Sequence, residues 1–124
     1  MKNVLKVLVA LSSLPLLGLG FAAMLSPNSM LDLFDLTPKG TYGYNTIRAD
    51  LGGLLIGSGL MIWIGLLKTQ NSWFNATIFL MAILLFGRLL STLIDGWTNA
   101  AIPAIGVEIF AIIILTLYKR QDKI

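Results

Sequence analysis

The chain contains no cysteine and no histidine. Their absence removes disulfides, thiolate nucleophiles, haem-ligating histidine, copper sites and the commonest zinc ligands, so neither a metal centre nor a cofactor is expected. The missing cysteines leave the compartment open, because a bundle packed in lipid needs no disulfides. Charge is scarce as well. Of 124 residues, 12% are charged and 56% hydrophobic, and the mean hydropathy of +0.84 lies outside the soluble globular range.

What is present in place of charge is a series of long apolar runs. Four spans are expected, at about Val4–Leu25, Ile47–Leu67, Trp73–Ile94 and Asn99–Tyr118, each close to the roughly 20 residues that cross a bilayer core. The chain is then a single all-α domain, an up-and-down four-helix membrane bundle. Lys2 and Lys6 ahead of an apolar run resemble a signal peptide, but the small-residue cleavage pattern is poor, so an uncleaved first span is expected. Asn75-Ala76-Thr77 matches a glycosylation sequon at a predicted cytoplasmic span end and is set aside.

The net charge of +3 does not form a nucleic-acid patch, because the basic residues sit mainly at span ends. Lys2, Lys6, Lys68, Lys119, Arg120 and Lys123 share one side, leaving Lys39 and Arg48 on the other. That bias predicts a multi-pass protein with both termini in the cytoplasm.

Between the first two spans, Ser26-Pro27 is a helix stop and a new start. Met30, Leu31, Leu33, Phe34 and Leu36, interleaved with Asp32 and Asp35, predict a short amphipathic helix on the outer face. Thr37–Tyr44 has the residues of an irregular loop. In the second span Ala49, Gly53 and Gly57 recur every four residues with Gly52 alongside, predicting a ridge where helix backbones meet. Bulk at Gly53 is expected to disrupt packing more than truncation of Leu54.

Two lone charges interrupt the last two apolar runs, Arg88 and Glu108. Either alone in hydrocarbon costs at least a few kcal/mol, so each must face protein or a wet cavity. On antiparallel spans Arg88 lies roughly 10 Å and Glu108 roughly 13 Å from the same end, at about 1.5 Å per residue, which is close enough to pair. Arg88, Ser91, Thr92 and Asp95 align on one helix face expected to look inward. Asn45, Arg48 and Asp50 open the second span at the same end. The inner half is nearly apolar, against a continuous pore or proton wire.

Three readings of this cluster stay open. It can fix helix order without chemistry; it can receive the polar end of an amphipathic molecule at Arg48 and Arg88; or Glu108 or Asp95 can act as a general acid or base. The last is the weakest, since the carboxylates have no identified nucleophile, metal or cofactor. The expected function is non-enzymatic, an accessory subunit of a larger membrane complex or a binder of a lipid-like molecule, with transport of a small amphipathic substrate as the alternative. Membrane lipids are the expected partners, with self-association also open.

Asn45-Thr-Ile-Arg48-Ala-Asp50-Leu-Gly52-Gly53, Gly57, Gly87-Arg88-Leu-Leu-Ser91, Asp95-Gly96 and Glu108, in this order and spacing, resemble a bacterial integral membrane family, domain-of-unknown-function family 4345. The resemblance covers almost the whole chain and implies four spans in a bacterial inner membrane. It emphasises Asn45, Arg48, Gly52, Gly53, Arg88, Asp95 and Glu108, while Asp50 departs from the bulky residue expected there.

Overall fold

The computed structural model describes residues 1–122; Lys123, counted above among the basic residues, lies outside them. Helix α1 runs over Lys2–Leu25. A 3-10 turn, Pro27–Met30, leads into the short α2, Leu31–Phe34. The long helices α3 (Gly40–Lys68), α4 (Asn71–Ile94) and α5 (Ile102–Asp122) follow, the last preceded by a 3-10 turn at Asn99–Ala101. Four stretches, Lys2–Leu25, Gly40–Lys68, Asn71–Ile94 and Asn99–Gln121, are long and apolar enough to cross a membrane. In lipid backbone groups are best satisfied within their own helix, and these Leu- and Ile-rich runs stay helical without interruption by a sheet or long loop, with Pro15 the one residue inside α1 that lacks a backbone N–H.

The connections carry the signals that end the helices. Ser26 leaves helical geometry at φ −136°, and Pro27 cannot donate to the preceding turn. Asp35 closes α2 in the left-handed region (φ 52°, ψ 49°), which a short polar side chain tolerates. Thr69 does the same after α3, its N–H bonding the Gly65 carbonyl. With only Thr69 and Gln70 between them, α3 and α4 must run antiparallel. Each long helix packs against two others, α1 on α3, α3 on α4, α4 on α5 and α5 back on α1, so the four make a closed ring. The start of α1 and the end of α5 therefore lie at one end of the bundle, called here the terminal end; the opposite one is the distal end.

Most of the packed core lies in the terminal half, with Leu16 and Met81 carrying it to the cavity wall. Val9, Ile62, Leu66, Phe74, Ala111, Leu115 and Tyr118 are buried there in one cluster. The Phe74 and Tyr118 rings meet edge to face at 5.5 Å, and Phe74 lies so close to Gly65 that a Cβ there would sit 2.6 Å from the ring. The buried hydroxyls of the bundle donate locally. Ser12 donates to the Val9 carbonyl at 2.7 Å, Ser13 to Ala10 at 2.6 Å, Ser58 to Leu54 at 2.8 Å and Thr77 to Trp73 at 3.0 Å. Each donates its proton to a carbonyl of its own helix rather than to a neighbouring helix.

Two expectations are corrected. The Thr37–Tyr44 segment is not irregular throughout, because helix begins at Gly40. Glycine and tyrosine are weak helix formers, but the Tyr44 hydroxyl donates to Asn28 Oδ1 at 2.9 Å, and Gly43 lies against Pro38. Docking onto the α1–α2 connection decides the conformation. The helix then passes through a π-turn at Ile47–Gly52.

The second correction concerns the glycine ridge. Gly53 and Gly57 have nothing within 4 Å of where a Cβ would sit, and Ala49 is exposed. The close approach lies one helix face away, where a Cβ on Gly52 would meet the Gly20 carbonyl at 3.2 Å and one on Gly59 would meet Leu17 at 2.6 Å. The wide π-turn shifts Ala49 relative to the straight helix after it, and that helix is rotated so that the side carrying Gly52, Ile56 and Gly59, rather than Gly53 and Gly57, meets α1.

Candidate functional site

Arg88 reaches from the distal half of α4 and Glu108 from the distal half of α5. Arg88 Nε–H is shared between Glu108 Oε1 and Oε2, each at 3.0 Å, and Nη2 lies 2.9 Å from Oε1. Matched depth on adjacent antiparallel helices brings the two together as the sequence predicts. The partners differ in exposure: Glu108 is 4% exposed as a residue, whereas the Arg88 side chain is 34% exposed. Thr92, one turn on, donates its hydroxyl to the Arg88 carbonyl at 2.9 Å.

Both charges line a cavity of about 360 Å³ in the distal half of the bundle. All four long helices contribute to its walls, Leu16 and Leu19 from α1, Leu55 from α3, Met81 and Leu84 from α4 and Val107 from α5. Leu33, Phe34 and Asp35 from the end of α2, with Thr98 from the α4–α5 connection, stand at its edge. That connection is held by Trp97 Nε1–H donating to Asn99 Oδ1 at 2.8 Å and by Thr98 accepting from the Ala100 N–H at 3.3 Å. The space follows from small side chains. Ala100, Ala101 and Ala104 face it ahead of Glu108, where larger residues would have filled the bundle as they do in the terminal half. An apolar pocket of this size with a few converging polar groups is the usual form of a small-molecule site.

The other polar residues singled out from the sequence do not join this constellation. Ser91 donates to Asp95 Oδ2 at 2.9 Å, but both are exposed and neither lines the cavity. The polar face of α4 is therefore divided, with Arg88 and Thr92 half-buried and Ser91 and Asp95 turned out. Arg48 is exposed, and its Nη1 donates to the Met24 carbonyl. It closes one of the open carbonyls at the C-terminus of α1, where a cation also suits the helix dipole. Asn45 lies beside it in a separate shallow depression with Gly40, Thr41 and Tyr44. Asp50 is exposed within the π-turn and has no polar partner among the described residues.

Sequence reasoning did not find Asp35 and Thr98 at the cavity edge, nor α2 as part of its boundary. The detectable signal was the run Asn99-Ala-Ala-Ile-Pro-Ala-Ile-Gly106, small residues at the depth of the ion pair.

The fold and this site define a multi-pass membrane bundle with an ion-paired cavity in one half. The chain belongs to the family described as Domain of unknown function (DUF4345), which matches residues 4–118. No curated protein and no solved structure matches it.

Proposed function

We propose that this chain is a small, non-enzymatic membrane protein that holds a lipid-like amphipathic molecule in the distal cavity. The observation that supports this is the continuity of apolar wall and ion pair in one space, from Leu16 and Leu19 to Arg88 and Glu108. An apolar body has somewhere to lie, and a polar end has donors to meet. Arg48, bonded to Met24, is left out of the binding reading. Transport is less well supported, because a route needs polar groups through the full thickness and the buried hydroxyls of Ser12, Ser13, Ser58 and Thr77 donate within their own helices. Acid–base catalysis gains little from Asp95, which lies outside the cavity.

The test is native mass spectrometry of the chain released from gently solubilised membranes. A molecule should remain bound to the wild type, and Ala104→Phe, which puts a ring into the cavity wall, should lower its occupancy by about tenfold or more. Phe79→Ala, on an exposed surface, should leave it unchanged. A wild type carrying nothing, or equal retention in Ala104→Phe, would overturn the reading.

The orientation belongs to the same proposal. Lys2, Lys6, Lys68, Lys119 and Arg120 gather at the terminal end, and the positive-inside bias puts that end in the cytoplasm. The chain has no native cysteine, so single cysteines at Lys39 and Lys68 report cleanly. They should react with an impermeant maleimide from opposite sides of the membrane; reaction from the same side sinks the topology.

A further inference from the structure

The ion pair does more than mark the cavity; its charge and hydrogen-bond inventory restrict what the cavity can hold, provided that the binding reading above is right. A guanidinium carries five N–H donors. Glu108 accepts Nε–H through both of its oxygens and has Nη2 2.9 Å from Oε1, and no other acceptor meets the side chain among the described residues. Arg88 is also the more exposed partner, at 34% of its side chain against 6% for Glu108. The pair therefore offers the cavity mainly N–H donors, while the carboxylate stays covered.

The pair is at the same time electrically closed. A carboxylate or phosphate entering beside it would set two anions against one cation among apolar walls, where desolvation is not repaid by a cation already neutralised. Asp35 at the cavity edge adds a further negative charge on the approach. An ammonium head meets the opposite difficulty, since the exposed member of the pair is the guanidinium. A neutral acceptor has neither problem. It takes up the remaining N–H groups and brings no charge into the wall.

We infer that the cavity accepts an uncharged, carbonyl-bearing amphiphile, its carbonyl oxygen accepting from Arg88 and its apolar body lying along Leu16, Leu19, Leu84 and Val107. A cavity of about 360 Å³ falls at the small end of the roughly 300–1,000 Å³ of small-molecule sites, so it suits a small amphiphile or a portion of a larger one. The carbonyl can belong to a free amphiphile or to the ester of a bilayer lipid.

The experiment compares ten-carbon probes that differ only in the head, namely 2-decanone, decanoate and decylammonium. The full chain is placed in nanodiscs of a diether phospholipid, which has no ester carbonyl, and saturable binding is measured as the excess over Ala104→Phe so that bilayer partitioning cancels. 2-Decanone should bind at least about tenfold more tightly than either charged probe, the ratio that one hydrogen bond to a charged donor supplies. Glu108→Gln removes the neutralising charge and should reverse the order in favour of decanoate.

If decanoate or decylammonium binds best to the wild type, the head-group inference is wrong and the cavity remains a binding site. If no probe binds above Ala104→Phe, both readings fall. Should Glu108→Gln not assemble, the wild-type ranking decides alone. If Glu108→Gln assembles and keeps the wild-type order, charge closure is not what selects the head, and the inference fails. Repeating the 2-decanone titration in diester lipid separates the sources: weakened binding identifies the bilayer ester as a competing occupant, and unchanged binding identifies a free amphiphile. Both of these outcomes support the carbonyl class.

Discussion

Arg88→Met should destabilise the bundle by about 3 kcal/mol or more, the lower end of the cost of leaving a buried charge without its partner. Glu108→Gln should cost less, about 1–2 kcal/mol, because the two ends of the pair are not equally trapped. A stranded Glu108 is 4% exposed, so its carboxylate keeps little contact with anything but protein. A stranded Arg88, with a third of its side chain exposed, can turn its long side chain toward the distal end and snorkel. Combining the two substitutions leaves no ion at all. The double variant should therefore be more stable than the sum of the single losses predicts, with a coupling of about 1 kcal/mol or more. Equilibrium unfolding in mixed micelles measures all four corners of this cycle. Strict additivity would mean that the pair contributes no interaction energy, and a larger loss in Glu108→Gln than in Arg88→Met would contradict the burial asymmetry.

The pairing was legible in the sequence because depth along a membrane helix is a simple count. Once the spans are antiparallel, residues equally far from one end must meet or be wasted in lipid, and few ionisable groups compete. The spans were legible for a related reason: an apolar run near 20 residues has few alternatives to crossing the bilayer. Rotation about each helix axis was much less legible. Ser91 and Asp95 share a face with Arg88 by periodicity, yet they are exposed, because α4 ends close to the distal surface and polar side chains there have water or headgroups to face. Arg48 shows a different limit. Its partner is the Met24 carbonyl, and a backbone acceptor leaves no mark in the sequence. The helical start at Gly40 likewise depends on the contact between Tyr44 and Asn28, sixteen positions apart, which local propensity does not contain.

Gly20→Ala should destabilise the bundle by about 1–3 kcal/mol, as overpacking of a close contact does, whereas Gly57→Ala and Gly53→Ala should be neutral or slightly stabilising. A Cβ on Gly20 would sit 2.7 Å from Ile56 Cγ1 and 2.8 Å from the Ile56 backbone nitrogen. A side chain can turn aside, but the backbone nitrogen of a spanning helix cannot, so α1 and α3 must move apart. Small residues are what permit such approaches between membrane helices. At Gly53 and Gly57 no neighbour stands within 4 Å, so the added methyl meets no protein atom and the gain in helix propensity remains. The separation should also reach the cavity. The same Cβ on Gly20 would lie 3.0 Å from Leu55 Cβ, and Leu55 and Leu19 both line the cavity wall. Gly20→Ala should therefore lower both the unfolding midpoint and the occupancy of the bound molecule, while Gly57→Ala changes neither. Equal stability of the two alanine variants would place the α1–α3 contact elsewhere. Loss of stability with unchanged occupancy would show that the cavity does not depend on how closely α1 and α3 approach.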